Sequence, residues 1–419
     1  MKHRKRVEWN RLDNAAKIFP PTSNDRDTKV FRFACELYER VDPVKLQEAL
    51  DETIEIFPLY KSVLRKGVFW YYFETGGLRP VVEEESLPVC ARIYQESRRN
   101  LLFRVVYFKN RISLEVYHAL SDGTGALWFF KSLLSRYLMG KYKTAFSELN
   151  LKLDYEASVS QKMDDSFLKY YTGKRISLAV KSERAYHIRG TRKEENRMQL
   201  IEGTMSVKAV LNAAHEYDTT LTVYLTALFM YSIYRTMSER GKKYPVVLSV
   251  PVNLRNYFES ESARNFFGTI NIGYHFGKNS TELPDIIKSV GESFSRELTP
   301  DRLRNHMERL AALEHNVFTR AVPLAIKDFT LQVANLINER GITAALSNVG
   351  KISMPSEFTP YIRQFDVFTS ARRPQICMCS YGDNLVVSFT SPFADTDIQK
   401  TFFHTLSKKG IDVKIASNL

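Results

Sequence analysis

The chain has 419 residues, of which 44% are hydrophobic and 12% aromatic, enough for two or three domains around a large core and far too apolar for a disordered chain. A formal net charge of +13 favours anionic partners in general: nucleic acid, acidic carrier proteins, membrane surfaces or phosphate-bearing cofactors. The bases are dispersed, the densest run being Lys2-His3-Arg4-Lys5-Arg6, and no helix-turn-helix, finger or RNA-stacking motif accompanies them, so nucleic acid is set aside as a partner.

Phe31–Glu36 reads as a first strand. Asp42-Pro43 then opens a helix, with Asp as N-cap and Pro at the first helical position; Leu46, Ala49, Leu50 and Phe57 form its apolar face and Pro58 ends it. Short strands follow over Val63–Arg65, Val68–Glu74 and Phe103–Tyr107. Arg111–Tyr117 alternates, with Ile112, Leu114 and Val116 on one face and Ser113, Glu115 and Tyr117 on the other, the period of a half-buried strand. A Gly123-Thr124-Gly125 turn feeds a helix on which Leu127, Phe130, Leu133, Leu134, Tyr137 and Leu138 recur at helical spacing.

The most polar stretch, Lys174 to Arg197, contains Lys181-Ser182-Glu183-Arg184 and Arg192-Lys193-Glu194-Glu195-Asn196-Arg197. It places a crossover at 181–200 between a first lobe, 1–180, and a second, 201–419. In the second half, Val207–Tyr217 and Thr219–Met237 are helical and Tyr244–Val250 is a strand running into Pro251-Val252-Asn253-Leu254-Arg255. Strands are expected at Thr269–Phe276, Ala344–Asn348, Phe365–Phe368, Gln375–Tyr381 and Leu385–Thr390, the last two joined by a Gly382-Asp383-Asn384 hairpin turn.

Cys35, Cys90, Cys377 and Cys379 show neither metal-ligand spacing nor a disulfide framework; Cys377 and Cys379 lie two apart on one side of a strand and read as small apolar residues. No metal is expected. Met1–Arg11 is basic but no apolar stretch follows, so no signal peptide is read there, and Leu221–Ile233, the most apolar segment, is too short to span a bilayer. The expected compartment is the reducing cytoplasm.

The chemistry-bearing segment is Tyr117-His118-Ala119-Leu120-Ser121-Asp122-Gly123-Thr124-Gly125, which sets one histidine between a strand and a helix. A histidine at such a junction is poorly placed to hide in a core, and a pKa near neutrality suits it to move a proton. The plainer alternative is a histidine satisfied within a loop whose glycines only shape a turn. Asp122, four residues on and across that turn, would direct its carboxylate away from the imidazole.

The spacing His118-x-x-x-Asp122-Gly123 matches the signature of the CoA-dependent acyltransferase superfamily, which includes chloramphenicol acetyltransferase, plant BAHD acyltransferases, condensation domains and bacterial alcohol acetyltransferases. The chain resembles the alcohol acetyltransferases over nearly its whole length. Val41-Asp42-Pro43 through Phe57-Pro58-Leu59 is similar to their first helix, and Thr220-Leu221-Thr222 with Leu225 to the start of the first long helix of the second lobe. Pro251–Arg255 is similar to a strand end bearing a structural arginine, and Leu346-Ser347-Asn348-Val349-Gly350 to a strand whose serine faces the reaction centre.

The resemblance implies an α/β (α+β) fold of two chloramphenicol acetyltransferase-like lobes, each a mixed sheet flanked by helices, with the active-site tunnel between them. It implies His118 as general base, an ion pair of Asp122 with Arg255 that shapes the site, and Ser347 as hydroxyl donor to the oxyanion. Gly123 either lets the backbone approach the reacting carbonyl or is an ordinary turn glycine. Asn348, Tyr117 and Thr124 are the expected substrate contacts. Acyl-CoA would be a co-substrate, with no tightly bound cofactor.

Two departures narrow the reading. Tyr117 stands where condensation domains usually carry a first histidine, and the Asp-Phe-Gly-Trp-Gly box of BAHD enzymes is reduced to Phe365-Asp366-Val367-Phe368-Thr369. The expectation is therefore transfer of a short acyl group, such as acetyl, from CoA to an alcohol or amine acceptor. The alternatives are a condensation-like protein whose thioester arrives on an acidic carrier protein, and a non-catalytic member that binds a ligand or carrier. Retention of His118, Asp122, Gly123 and Arg255 together argues against the last.

Overall fold

The computed structural model describes residues 9–146, 165–172, 183–315 and 322–418. The Lys2–Arg6 run, Lys181 and Ser182 lie outside the described residues. Strands β1 (Trp9–Arg11), β2 (Val30–Leu37), β3 (Ser62–Lys66), β4 (Tyr71–Thr75), β5 (Val82–Glu84), β6 (Phe103–Phe108) and β7 (Arg111–Tyr117) come first. After the crossover follow β8 (Gln199–Ser206), β9 (Val246–Asn253), β10 (Phe267–Tyr274) and β11 (Ala344–Lys351). The chain ends with β12 (Ile362–Thr369), β13 (Gln375–Tyr381), β14 (Asn384–Ser391) and β15 (Lys414–Ser417). They form a five-stranded sheet in the order β12-β2-β7-β6-β5, a seven-stranded sheet β10-β9-β11-β13-β14-β8-β15, and a small sheet β1-β4-β3.

Local chemistry accounts for several boundaries. Asp42 caps helix Pro43–Ile56 by accepting from the amides of Val44 and Lys45 at 2.9 and 3.1 Å. Thr220 does the same for helix Leu221–Tyr234. Between β13 and β14 the pairing of Tyr381 with Asn384 leaves a two-residue hairpin loop, in which Gly382 takes the positive φ of 58° that the tight turn demands. Asp383 beside it accepts from Ser206 Oγ and the Lys208 amide, so the hairpin tip also holds the start of helix Val207–His215.

The structure corrects the half-buried reading of Arg111–Tyr117: every residue from Ile112 to Tyr117 is buried. β7 lies between β2 and β6, so it has no open edge. Its apolar face packs with residues of helices Pro43–Ile56 and Gly123–Lys141. On the polar face, Glu115 lies under the 85–101 segment and is neutralised by Arg32, at 2.7 Å, and Arg104, while it accepts from the Cys90 amide at 2.6 Å. Alternation recorded chemistry here, and paired charges let the polar side be buried as well.

The sheets do not divide strictly at the 181–200 crossover. β12 belongs by sequence to the second lobe, yet it pairs antiparallel with β2, Phe365 opposite Cys35 and Asp366 opposite Ala34. Its Phe365, Val367 and Phe368 are buried in the core of the first lobe. β13 is the partition between the two cores: Cys377 and Cys379 turn to the first, Ile376 and Met378 to the second. All four cysteines are buried and free. Among the described residues no helix is long and apolar enough to cross a membrane.

Where β12 meets the second lobe, the carboxyls of Glu202 and Asp366 are buried together beside Arg111, which lies 3.9 and 3.6 Å from them. Burial, then the neighbouring Asp366 charge, pushes Glu202 up to about 8, and burial raises Asp366 as well. A carboxyl whose pKa is higher folded than unfolded contributes stability at low pH and loses it as pH climbs through the folded value. The Glu202→Gln variant is therefore expected to gain stability relative to the parent between about pH 4.5 and 8, by urea denaturation at a series of pH values. A difference that does not vary with pH would show that burial does not raise the Glu202 carboxyl.

Candidate active site between the lobes

His118 follows directly on β7, its amide donating to the Lys29 carbonyl at 2.8 Å. Its ring is caged by aromatics from both lobes. Phe19 stacks on it at 4.6 Å and 15°, Phe31 tilts against it at 4.9 Å, and Phe267, from β10 of the second lobe, at 5.4 Å. Nδ1 lies 3.3 Å from Oδ1 of Asn265, also from the second lobe. Burial holds the imidazole pKa below its ordinary value, against the opposing pull of the Asp122 charge. The shift favours the neutral ring.

Asp122 makes three contacts that join helix to loop. Oδ1 caps helix Gly123–Lys141 by accepting from the Gly125 amide at 2.9 Å. Oδ2 accepts from Arg255 Nη1 at 2.7 Å and from the Phe266 amide at 2.8 Å. Arg255 extends from the end of β9, its guanidinium over the Trp128 ring at 5.4 Å. Its Nη2 donates to the carbonyls of Ser262 and Arg264 at 2.8 and 2.7 Å. One buried ion pair therefore holds the Ser262–Phe266 segment of the second lobe against the helix that His118 precedes.

His118 opens on a cavity of about 250 Å³ bounded by both lobes, with Phe19 and Lys29 on one side and Ile342 and Ala345 on the other. Lys29, Arg372 and Arg373 bring positive charge to its wall, set against Asp27 and Glu339. Ser347 shares a face of β11 with Ala345, half-buried, but it is not among the residues that line this cavity. Asn348 falls on the other face, exposed, with its Nδ2 donating to Thr222 Oγ1 at 2.8 Å. Among the described residues no group of three or more His, Cys, Asp or Glu is placed to hold a metal.

Comparison with known proteins bears on this arrangement. The model of the alcohol acetyltransferase family matches residues 179–377. No curated protein matches the sequence. The structure of polyketide synthase associated protein 5 from Mycobacterium tuberculosis is similar over 95% of this chain and 96% of that one, at 14% identity and a TM-score of 0.62. F. graminearum TRI101, complexed with coenzyme A and T-2 mycotoxin, is similar over 97% and 99%, at 11% identity and a TM-score of 0.65. The first condensation domain of the calcium-dependent antibiotic synthetase, in complex with a substrate analogue, is similar over 96% of both chains at 13% identity and a TM-score of 0.61. This is the CoA-dependent acyltransferase fold.

Within that acyltransferase fold the remaining expected site residues scatter. Tyr117 is fully buried and stacks on Tyr94 at 5.2 Å, on the inner face of the first lobe and away from the cavity wall. Thr124 sits half-buried in the first turn of its helix. A Cβ at Gly123 would meet nothing within 4 Å, whereas at Gly125 it would lie 2.1 Å from the Ala263 carbonyl oxygen and 2.4 Å from Ser121 Oγ. The close approach that a glycine permits is therefore at Gly125, where the helix start touches the clamped segment. Asn265, Phe19 and Phe267 escaped the sequence reading: none stands near His118 along the chain, and Asn265-Phe266-Phe267-Gly268 carries no spacing that ties it to a histidine 147 residues away.

Removing one partner of the Asp122–Arg255 pair leaves a buried charge alone, so Arg255→Met is expected to cost about 3–5 kcal/mol of folding stability. Gly125→Ala is expected to destabilise and Gly123→Ala to be nearly neutral, both read by thermal unfolding. A Gly125→Ala protein as stable as the parent would show that the helix and the Ala263 carbonyl do not press together.

Proposed function

We propose that the chain transfers a short acyl group, acetyl in the first instance, from a CoA thioester to an alcohol, with His118 as general base. The observation that carries this is an aromatic-caged imidazole, its neutral form favoured by burial, at the seam of the two lobes, opening on a cavity that both lobes wall. The alcohol acetyltransferase match over residues 179–377 favours a hydroxyl over an amine acceptor. The positive groups Lys29, Arg372 and Arg373, and a net charge of +13, suit the CoA phosphates.

In this mechanism His118 takes the proton of the acceptor hydroxyl as its oxygen attacks the thioester carbonyl. The resulting oxyanion would be met by Ser347, two residues beyond the cavity-lining Ala345 on β11. Collapse breaks the carbon–sulfur bond, and the imidazolium returns the proton to the departing sulfur, giving ester and free thiol. General-base help of this kind is worth roughly 10²–10⁴ in rate, the rest coming from alignment in the cleft. Asp122 and Arg255 contribute by holding the site together. We place Asn348, Tyr117 and Thr124 outside the reacting groups. The four buried free thiols fit a reducing cytoplasm.

The test is release of free thiol from acetyl-CoA in the presence of a panel of alcohols and amines. Wild-type turnover and its loss by about 10²–10⁴ in His118→Ala are expected. Because burial lowers the His118 pKa, kcat/KM should rise through a midpoint below pH 6.5 and stay level above it. Equal rates in the alanine variant would end the assignment. Turnover only with a thioester on an acidic carrier protein would move the donor to the class suggested by the condensation-domain likeness.

A further inference from the structure

Asn265 is joined on its other side to a buried acid that the proposed reaction does not use. Asp13, fully buried, comes from the segment after β1. Its Oδ2 lies 3.3 Å from Asn265 Nδ2, 3.4 Å from the Asn265 amide and 3.5 Å from Arg264 Nε. Its Oδ1 accepts from the Ala16 amide at 2.7 Å. Arg264 also donates from Nη2 to the Arg11 carbonyl at 2.6 Å, so the first residues of the first lobe and the clamped segment of the second are tied on both sides of Asn265.

From this geometry we infer that Asp13 and Asn265 are positioning residues that select the tautomer of His118, an inference that rests on the reading of His118 as the base. Asp13 Oδ2 is met by the Asn265 backbone N–H and the Arg264 guanidinium, so it acts there as an acceptor, and the Asn265 side chain must turn its NH₂ towards it. The amide oxygen then faces His118, and only a proton on Nδ1 gives it a partner. Nε2 keeps its lone pair and is the nitrogen that can accept the acceptor hydroxyl's proton. Reversing the amide would set two oxygens against each other at Asp13 and call for the Nε2–H tautomer, which cannot act as a base through Nε2. The separations of 3.3 Å are at the long end for such bonds, as is common before substrate tightens a site. A carboxylate acting through an amide thus does at a distance what the aspartate of a serine-protease triad does in contact.

The experiment is ¹⁵N NMR of histidine-labelled protein at pH 8, with the His118 signals assigned by their absence in His118→Ala, run beside kinetics. The wild type is expected to show a protonated Nδ1 and an unprotonated Nε2. Asn265→Ala should let the Nε2–H form appear and lower kcat at least 10-fold with little change in KM, a split that general loosening of the fold would not produce. Asp13→Asn removes the obligate acceptor, and a mixture of the two tautomers with an intermediate kcat is expected. A wild-type spectrum with the proton on Nε2, or an unchanged tautomer in Asn265→Ala, overturns the inference even if Asp13→Asn fails to fold. Should the wild type release no thiol from any acyl-CoA, the proposed function fails while the spectrum still decides the tautomer.

Discussion

The site depends on one constraint: the segment Ser262–Phe266 of the second lobe must be held hard against the start of the helix that follows His118. Asp122 and Arg255 do this with a buried ion pair at 2.7 Å, and neither charge is spent on a single partner. Asp122 caps its own helix and accepts from the Phe266 amide, while Arg255 donates to two carbonyls of the segment. A pair of this kind is costly to break because the survivor remains buried, so it resists separation of the lobes without being a large net source of stability. What it secures is position. With Gly125 in contact with the Ala263 carbonyl, there is no slack for Asn265 or Phe267 to drift from the imidazole.

Both lobes supply apolar walls to the imidazole. Phe19 and Phe31 come from the first lobe and Phe267 from the second, and together they surround much of the ring with apolar surface. The Asp122 charge, the histidine's own backbone and the Asn265 amide each pull the pKa upward, but less than burial lowers it. Desolvation therefore dominates and favours the neutral imidazole. The lobes are not independent units pressed together. β12 leaves the second lobe to complete the sheet of the first, and β13 divides its side chains between the two cores, so moving one lobe would disturb both.

Much of the local structure was open to reading from the sequence. The Asp42-Pro43 helix start, the Gly382 hairpin and the strand ending at Tyr117 each depend on residues adjacent along the chain. The place of His118 between strand and helix followed for the same reason. Several elements gave no such signal. The three-residue strands β1 and β5 are too short for a period, whereas helices Leu283–Glu297, Leu324–Arg340 and Asp397–Lys408 went unread although Pro284 marks the start of the first and Gly341 the end of the second. Glu115 reads as solvent-facing in an alternating strand, and only the arrival of Arg32 and Arg104 makes its burial affordable.

Sequence by itself determined the histidine, the acid four residues later, the turn between them and the order of most strands, because hydrophobic period and turn chemistry act over a few residues. Tertiary structure alone decided that β12 crosses to the first sheet, that Gly125 and not Gly123 is the crowded glycine, and that Asn265 and Asp13 converge on His118. Those relations join residues more than a hundred positions apart through burial and single hydrogen bonds. Neither leaves a repeat along the chain, so they exist only once the lobes have closed.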